Sequence, residues 1–181
     1  SSWKKYNFQK VKEELKLKKK LKILDVGSGR HFIEKVFPEL NENDFFRLDL
    51  ANRDYVDIIA DLQKDSYFNC CFDAIICLNV LEHVYSFRDF FKNLSSLLKK
   101  DGVLMLSVPY NSGLHYLPHD YFRMSHYALK RLLNENDFEI KSLEAFYQKN
   151  INKIIRIFKN QNNNNIFSKI LEKLIILQIR L

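Results

Sequence analysis

Two of the four glycines in this 181-residue chain lie two positions apart, and acidic residues follow them along the sequence. Glycine in the turn Gly27-Ser28-Gly29 allows a sharp reversal and lets a ligand approach the backbone closely. Asp49 follows, and a carboxylate at that distance can accept hydrogen bonds from both hydroxyls of a ribose. Asp61 can accept from an exocyclic amine such as that of adenine, with Leu50 and Leu62 on either side of the base. The pattern predicts a nucleoside site.

Dinucleotide enzymes use a similar glycine turn, but their motif has a third glycine where this chain has Phe32. A bound pyrophosphate is therefore not favoured. A bulkier group that is uncharged or cationic fits the turn better.

These residues must be positioned by the short apolar segments that precede them, which alternate with amphipathic segments along the chain. Such alternation predicts an α/β fold in which an open, mostly parallel sheet has helices on both faces. In that arrangement the glycine turn and both acids lie at the carboxyl ends of neighbouring strands, where ligands bind. The predicted strands are 21–26, 45–50, 56–60, 72–77, 103–108 and 138–146, and the predicted helices are 3–20, 31–40, 87–99, 125–134 and 166–181.

The length and composition of the chain are those of one globular domain, since 46% of its residues are hydrophobic and 14% aromatic. We expect a single domain over residues 1–181, with an N-terminal helix at 1–20, a core at 21–146 and a C-terminal extension at 147–181. The cysteines Cys70, Cys71 and Cys77 form no CxxC pair, and the sequence contains no leader or apolar run long enough to span a membrane. These features predict a cytoplasmic protein.

Several segments together resemble the class I S-adenosylmethionine-dependent methyltransferases over roughly residues 21–146. The segments are Ile23-Leu24-Asp25-Val26-Gly27-Ser28-Gly29, Asp49-Leu50, Asp61-Leu62 and the run from Phe72 to Val84. The resemblance implies a Rossmann-like fold and S-adenosyl-L-methionine as cofactor, with S-adenosyl-L-homocysteine as product. His31 stands where the family often has a third glycine, which would reshape the carboxylate end of the cofactor site.

The resemblance also implies a role for each part of the cofactor site. The glycine turn would hold the methionine part of the cofactor, Asp49 the ribose, and Asp61 with Leu62 the adenine. Leu78 and Asn79 would face the amino-acid end. The implied cofactor-binding residues are Asp25, Gly27, Ser28, Gly29, Asp49, Leu50, Asp61, Leu62, Leu78 and Asn79.

A histidine-containing loop follows the fifth predicted strand. It resembles an H…P-x-D-Y-x-R motif in a subgroup of these enzymes associated with cell-surface glycan biosynthesis. We expect His115 or His119 to act as a general base, because imidazole can take a proton at neutral pH, with Asp120 orienting it. The expected substrate-binding residues are Tyr110, Tyr121 and Arg123.

The same loop also has a purely structural interpretation, in which Asp120 and Arg123 pair with each other and the loop only covers the end of the sheet. His115 and His119 have the i, i+4 spacing of metal ligands, but Pro118 disfavours a regular helix across them, so we expect no metal. A structural role is also expected for Glu82 and His83.

The predicted function is methyl transfer to a hydroxyl or amine of a small-molecule, sugar or lipid-linked glycan acceptor. The net charge of +7 leaves an RNA or other nucleic-acid methyltransferase as one alternative, although no nucleic-acid partner is expected. An inactive, methyltransferase-like scaffold that binds a partner is another. Helix 166–181 leaves peripheral membrane contact open, and the sequence leaves open the oligomeric state and the presence of a seventh strand.

Overall fold

The computed structural model describes residues 21–29, 45–65, 72–141 and 143. Several predicted features lie outside the described residues, namely helices 3–20, 31–40 and 166–181, the residues of the sixth strand beyond 143, and the residues Phe32, Cys70 and Cys71. Contacts between residues divide the chain into two units, Ser1–Phe138 and Glu139–Leu181, and the elements below belong to the first. The extent of a single domain stays a prediction. In the part of the chain that is described, no helix has the length and apolarity needed to span a bilayer.

A parallel five-stranded sheet forms the described fold, in the order β3-β2-β1-β4-β5. This arrangement confirms the α/β, Rossmann-like fold class that the alternating pattern predicts. The strands are β1 (Ile23–Val26), β2 (Phe45–Asp49), β3 (Ile58–Ile59), β4 (Phe72–Leu78) and β5 (Leu98–Ser107).

The central strands β1 and β4 form the core of the sheet. Every residue of β1 is buried, as are the first six residues of β4, which is typical of parallel strands covered on both faces. Burial of each large aliphatic side chain contributes about 1.5–3 kcal/mol. The strands are therefore held rigidly, and the turns that leave them start from fixed positions.

The strand register brings the carboxyl ends of these strands to one edge of the sheet. Val26 pairs with Leu48 and with Cys77, and Leu78 pairs with Ser107. Parallel pairing requires the chain to leave each strand on the same side. The glycine turn, the end of β2 and the segment after β4 consequently converge there.

Two helices follow the sheet strands in the described residues. Helix α1 (Phe87–Leu97) carries an apolar stripe with the spacing of an amphipathic helix. Helix α2 (His126–Asn134) begins after Ser125, whose hydroxyl accepts a hydrogen bond from the amide of Ala128 at 3.2 Å, and this confirms the predicted cap. The buried side chains of α1 are Phe90, Phe91, Asn93, Leu94 and Leu97.

The fifth strand differs from its predicted bounds of 103–108, because pairing with β4 already begins at Leu98. Leu98 pairs with Phe72, the register then shifts, and pairing resumes between Val103 and Ala74. Asp101 within the shifted segment has a left-handed backbone, with φ of 63°. Because this irregular segment is polar, apolar periodicity in the sequence does not reveal the first part of β5. Because this strand already begins at Leu98, α1 ends at Leu97 and not at the predicted residue 99.

The predicted sixth strand at 138–146 is wrong for its described residues, because residues 138–141 and 143 form no strand. The amide of Phe138 instead donates to the carbonyl of Leu133 at 3.0 Å, after Asp137 adopts a φ of 62°. This is the left-handed ending common at helix C-termini. The ring of Phe138 packs edge-on against Phe91 at 5.9 Å between centroids. Phe138 therefore caps the C-terminus of α2, which ends at Asn134.

Candidate active site

The glycine turn after β1 is tightly packed against the segment after β4. Gly27 and Gly29 have φ of 67° and 55°, in the left-handed region that side chains disfavour. A Cβ atom on Gly27 would lie 2.5 Å from Cγ2 of Val80. The amide of Gly27 donates to the carbonyl of Leu48 at 2.8 Å, which joins the turn to the end of β2. The turn therefore requires glycine at position 27.

Asp49 at the end of β2 contacts the turn directly. Its Oδ2 accepts a hydrogen bond from the amide of Gly29 at 3.3 Å, and its Oδ1 accepts from the amide of Ala51 at 3.0 Å. An ionised carboxylate has about four lone-pair positions, so both oxygens can still accept from further donors. The predicted proximity of Asp49 and the glycine turn is thus present in the structure.

Ser28 has the features expected of a residue that contacts a ligand. Its side chain is buried, and its hydroxyl oxygen finds no hydrogen-bond partner in the described part of the chain. Buried hydroxyls are normally paired, since leaving one unpaired costs about 1–3 kcal/mol. Among the residues that the structure describes, a Cβ on Gly29 would meet nothing closer than the carbonyl of Gly27 at 3.9 Å. Within the described residues, the turn therefore offers a buried hydroxyl that a bound polar group could pair with.

Asp61 lies in a hydrogen-bonded turn after β3. Its Oδ1 accepts from the amide of Gln63 at 3.0 Å, and its Oδ2 lies 3.2 Å from the ammonium of Lys64. Leu62 is 3% exposed and belongs to the core, whereas Leu50 is 66% exposed. Of the two leucines expected on either side of the base, Leu50 is the one that offers open apolar surface.

Asn79 connects the ends of β4 and β5. It follows Leu78 with a left-handed backbone, its amide donates to the carbonyl of Ser107 at 3.0 Å, and its Oδ1 accepts from the hydroxyl of Ser107 at 3.1 Å. Both Asn79 and the glycine turn thus lie at the carboxyl edge of the sheet. Asp25, one residue before the end of β1, is buried.

The histidine loop after β5 is organised by a two-point ion pair. Arg123 donates through its two terminal nitrogens to Oδ1 and Oδ2 of Asp120 at 2.6 and 2.7 Å, and its Nε donates to the carbonyl of Ser112 at 3.2 Å. The hydrogen bonds from Arg123 hold the pKa of Asp120 well below its usual range. This is the pairing that the structural interpretation of the loop predicts.

The geometry distinguishes the two candidate histidine bases. Oδ2 of Asp120 accepts from the backbone amide of His115 at 2.8 Å, so the carboxylate lies beside His115 and not beside His119. His119 instead places its Nδ1 2.7 Å from the phenolic oxygen of Tyr121. His119, Tyr121 and Tyr110 are exposed, the two tyrosines to 40% and 53%.

Glu82 and His83 form a group with His115 that sequence reasoning misses. They belong to a single 3₁₀ turn, Leu81–His83, which begins after Asn79 and Val80 have followed β4. Oε1 of Glu82 lies 3.8 Å from Nε2 of His83 and 3.6 Å from Nε2 of His115. Burial raises the pKa of the Glu82 carboxyl, against the opposing effects of its own backbone amide, the two histidines and Arg123. The sequence signal that could have revealed this group was an acid and a histidine next to each other, soon after a buried strand.

Backbone contacts bring the loop onto this turn. The carbonyl of Glu82 accepts hydrogen bonds from the amides of Tyr121 and Phe122 at 2.7 and 3.3 Å. Because these bonds join positions far apart in the sequence, the juxtaposition of His115 with Glu82 arises only in the folded chain.

Solved structures with similar folds include a methyltransferase candidate from Bacillus halodurans, 18% identical, which matches over 77% of this chain and 72% of its own with a TM-score of 0.60. The 1,6-didemethyltoxoflavin-N1-methyltransferase of Burkholderia thailandensis is 17% identical, with 72% and 66% covered and a TM-score of 0.58. An S-adenosylmethionine-dependent methyltransferase from Mesorhizobium loti is 18% identical, with 70% and 78% covered and a TM-score of 0.55. At these identities the likeness shows the fold alone.

No curated protein sequence is significantly similar to the chain. The sequence model of the family described as Methyltransferase domain, however, matches residues 3–144, which is well over half of the chain. The matched range includes the whole parallel sheet, the glycine turn and the histidine loop. The chain therefore belongs to the family described as Methyltransferase domain.

Proposed function

We propose that the protein transfers a methyl group from S-adenosyl-L-methionine to a hydroxyl or amine of a small-molecule, sugar or lipid-linked glycan acceptor. One observation carries the proposal: the carboxylate of Asp49 accepts a hydrogen bond from Gly29, within a turn that side chains disfavour. An acid beside a glycine turn, at the carboxyl edge of a parallel sheet, suits a nucleoside joined to an amino acid.

In this proposal, different described residues contact different parts of the cofactor. Asp49 would accept from the ribose hydroxyls with its remaining lone pairs, and the unpaired hydroxyl of Ser28 would meet the amino-acid part beside the turn. Leu50 would cover one face of the adenine, because it is the exposed leucine of the pair. Asp61, Leu78 and Asn79 line the same edge in this proposal. When bound, the cofactor supplies an activated methyl group on a sulfonium that leaves readily.

The histidine loop would form the acceptor side of the site. It follows β5, and its backbone hydrogen bonds to Glu82 hold it against the segment after β4. Its exposed tyrosines, Tyr110 and Tyr121, present flat surfaces on which a sugar or a heterocycle can stack. The bonded pair Asp120 and Arg123 would keep the loop in one conformation. Methyl transfer needs mainly such alignment of the acceptor, with water excluded.

His119 would take the proton of the acceptor, because it is exposed and the phenol of Tyr121 fixes the orientation of its ring. An acceptor that is a small molecule is supported by the Burkholderia thailandensis structure, whose name gives a small heterocycle as substrate and which contains bound S-adenosylhomocysteine. Aromatic surface on the loop is compatible with either a heterocycle or a glycan.

Calorimetric titration with S-adenosylhomocysteine tests the proposal. We expect one binding site, and Asp49→Ala should weaken binding about 10- to 100-fold, because hydrogen bonds to a charged group are each worth about 1.5–3 kcal/mol. Asp54→Ala is the matched control, since it removes the same charge from an exposed neighbouring position. The proposal fails if the unaltered chain binds neither cofactor nor product, or if both variants bind equally well.

A further inference from the structure

The carboxylate of Glu82 lies in an unusual environment for a buried acid. Its side chain is 1% exposed, yet in the described part of the chain neither oxygen accepts a hydrogen bond of normal geometry. Buried charges are ordinarily paired and hydrogen-bonded or bound to a metal. The proposed cofactor and acceptor contacts leave this carboxylate without a role.

The hydrogen bonds of His83 determine which of its ring nitrogens carries the proton. Its Nδ1 lies 2.6 Å from the carbonyl oxygen of His119, and a carbonyl can only accept. Nδ1 must therefore hold the hydrogen. In the neutral ring, the lone pair is then on Nε2, which is the nitrogen that lies 3.8 Å from Glu82.

His115 has the same arrangement. Its Nδ1 lies 3.1 Å from the carbonyl oxygen of Gly113 and 3.5 Å from a carboxylate oxygen of Asp120, and these two acceptors favour the hydrogen on that nitrogen over the lone pair that the Arg123 donor at 3.5 Å would need. Its Nε2 lies 3.6 Å from Oε1 of Glu82. The two rings are edge to face, with 5.0 Å between their centroids. Two imidazole lone pairs and one carboxylate thus converge on a common point.

These separations are too long for direct hydrogen bonds, whose heavy-atom distances are about 2.7–3.2 Å. Ligand atoms bound about 2.1 Å from one tetrahedral zinc ion lie about 3.4 Å apart. The three candidate ligand atoms all lie within 4.8 Å of one another, so small side-chain rotations bring them to such an ion. We infer that Glu82, His83 and His115 bind a divalent transition-metal ion, with Zn²⁺ as the ion that the donor set favours.

The donor set agrees with this choice. Two imidazole nitrogens and one carboxylate oxygen are ligands that zinc shares with other late divalent metals, and three protein ligands leave a position open. Carbonyl acceptors on the second nitrogen of each histidine are the usual support for metal-binding imidazoles. Arg123 has a terminal nitrogen 3.5 Å from Nδ1 of His115, but its charge is balanced by Asp120.

The ion would lie beside both halves of the candidate site. Glu82 follows Val80, which packs on the glycine turn, and His115 belongs to the loop proposed to face the acceptor. An acceptor hydroxyl bound at the open position would lose its proton more readily, as water does on zinc. This consequence rests on the proposed function, whereas binding of the ion does not.

The test is calorimetric titration of the chelator-treated full chain with Zn²⁺, with bound metal measured by mass spectrometry after dialysis. We expect one ion per chain. Glu82→Gln and His115→Ala should each weaken binding at least tenfold, because loss of one of three ligands removes a large part of the affinity.

His119→Ala is the control. It removes an exposed imidazole from the same loop but keeps the backbone carbonyl that accepts from His83, so its affinity for Zn²⁺ should be unchanged. The inference is overturned if the unaltered chain binds no Zn²⁺, or if Glu82→Gln binds it as tightly. Titration with S-adenosylhomocysteine in the same samples separates this failure from failure of the proposed function.

Discussion

Replacement of Gly27 by alanine tests whether the glycine turn is fixed by two separate constraints. The first is the left-handed backbone, with φ of 67°, and the second is contact of the new methyl group with Val80 at 2.5 Å. A left-handed backbone costs a non-glycine residue about 1–2 kcal/mol. Overpacking adds typically about 1–3 kcal/mol. Gly27→Ala should therefore lower the free energy of unfolding by about 2–5 kcal/mol, a large share of the roughly 5–15 kcal/mol that stabilises a domain.

Two other glycines provide matched controls for this substitution. Gly29 has a similar backbone, with φ of 55°, but among the described residues a Cβ there would meet only the carbonyl of Gly27 at 3.9 Å. Gly29→Ala should therefore cost only the backbone contribution of about 1–2 kcal/mol. A Cβ on Gly113 would have no heavy atom within 4 Å among those described, so Gly113→Ala should change the stability by no more than about 0.5 kcal/mol.

Urea unfolding of the ligand-free chain measures these differences, and Val80→Ala isolates the contact. If the methyl group introduced by Gly27→Ala meets Val80, the double variant Gly27→Ala with Val80→Ala should be more stable than the sum of the single effects predicts. The expected coupling is about 1–3 kcal/mol. Strictly additive effects, or equal losses for Gly27→Ala and Gly29→Ala, would refute the argument.

Two further predictions concern titratable groups. Asp120→Asn should lower the urea midpoint at pH 7, because Arg123 loses its charged partner. A carboxyl whose pKa is lowered in the folded state stabilises the fold at pH values above the ordinary aspartate pKa of about 4, and this stabilisation is lost as the pH falls through the lower folded pKa. The difference in urea midpoint between the two proteins should therefore shrink below about pH 4. A difference in midpoint that does not depend on pH would contradict this. Burial raises the pKa of the Cys77 thiol in β4, so mass spectrometry should find Cys77 unmodified by iodoacetamide at about pH 8 until urea unfolds the chain. Rapid labelling of the native protein would show that β4 opens locally.

The sequence determined the fold class and the proximity of Asp49 to the glycine turn. Both depend on local signals that survive without tertiary information: apolar strands of the right length, a glycine turn after the first of them, and acids at the ends of the next two. The parallel register then brings strand ends together by geometry, so Asp49 had to approach the glycine turn. The cap at Ser125 was also predictable, because a cap depends on only a few neighbouring residues.

Other features depended on contacts between distant parts of the chain. The irregular start of β5 pairs with Phe72, and Phe138, which caps α2, packs on Phe91. Burial separated Leu62 from Leu50, although both follow an acid at the end of a strand.

The grouping of Glu82 and His83 with His115 shows the same limit most clearly. Spacing along the sequence pairs His115 with His119, four residues away, but the loop between them is not helical. Backbone hydrogen bonds from Tyr121 and Phe122 to Glu82 instead dock the loop on the turn after β4. Local residue patterns cannot specify which distant carbonyl a loop amide will reach, since that depends on the path of the whole chain. The sequence therefore determined the sheet and the edge at which its strands end, and the tertiary structure decided which histidines face the buried carboxylate.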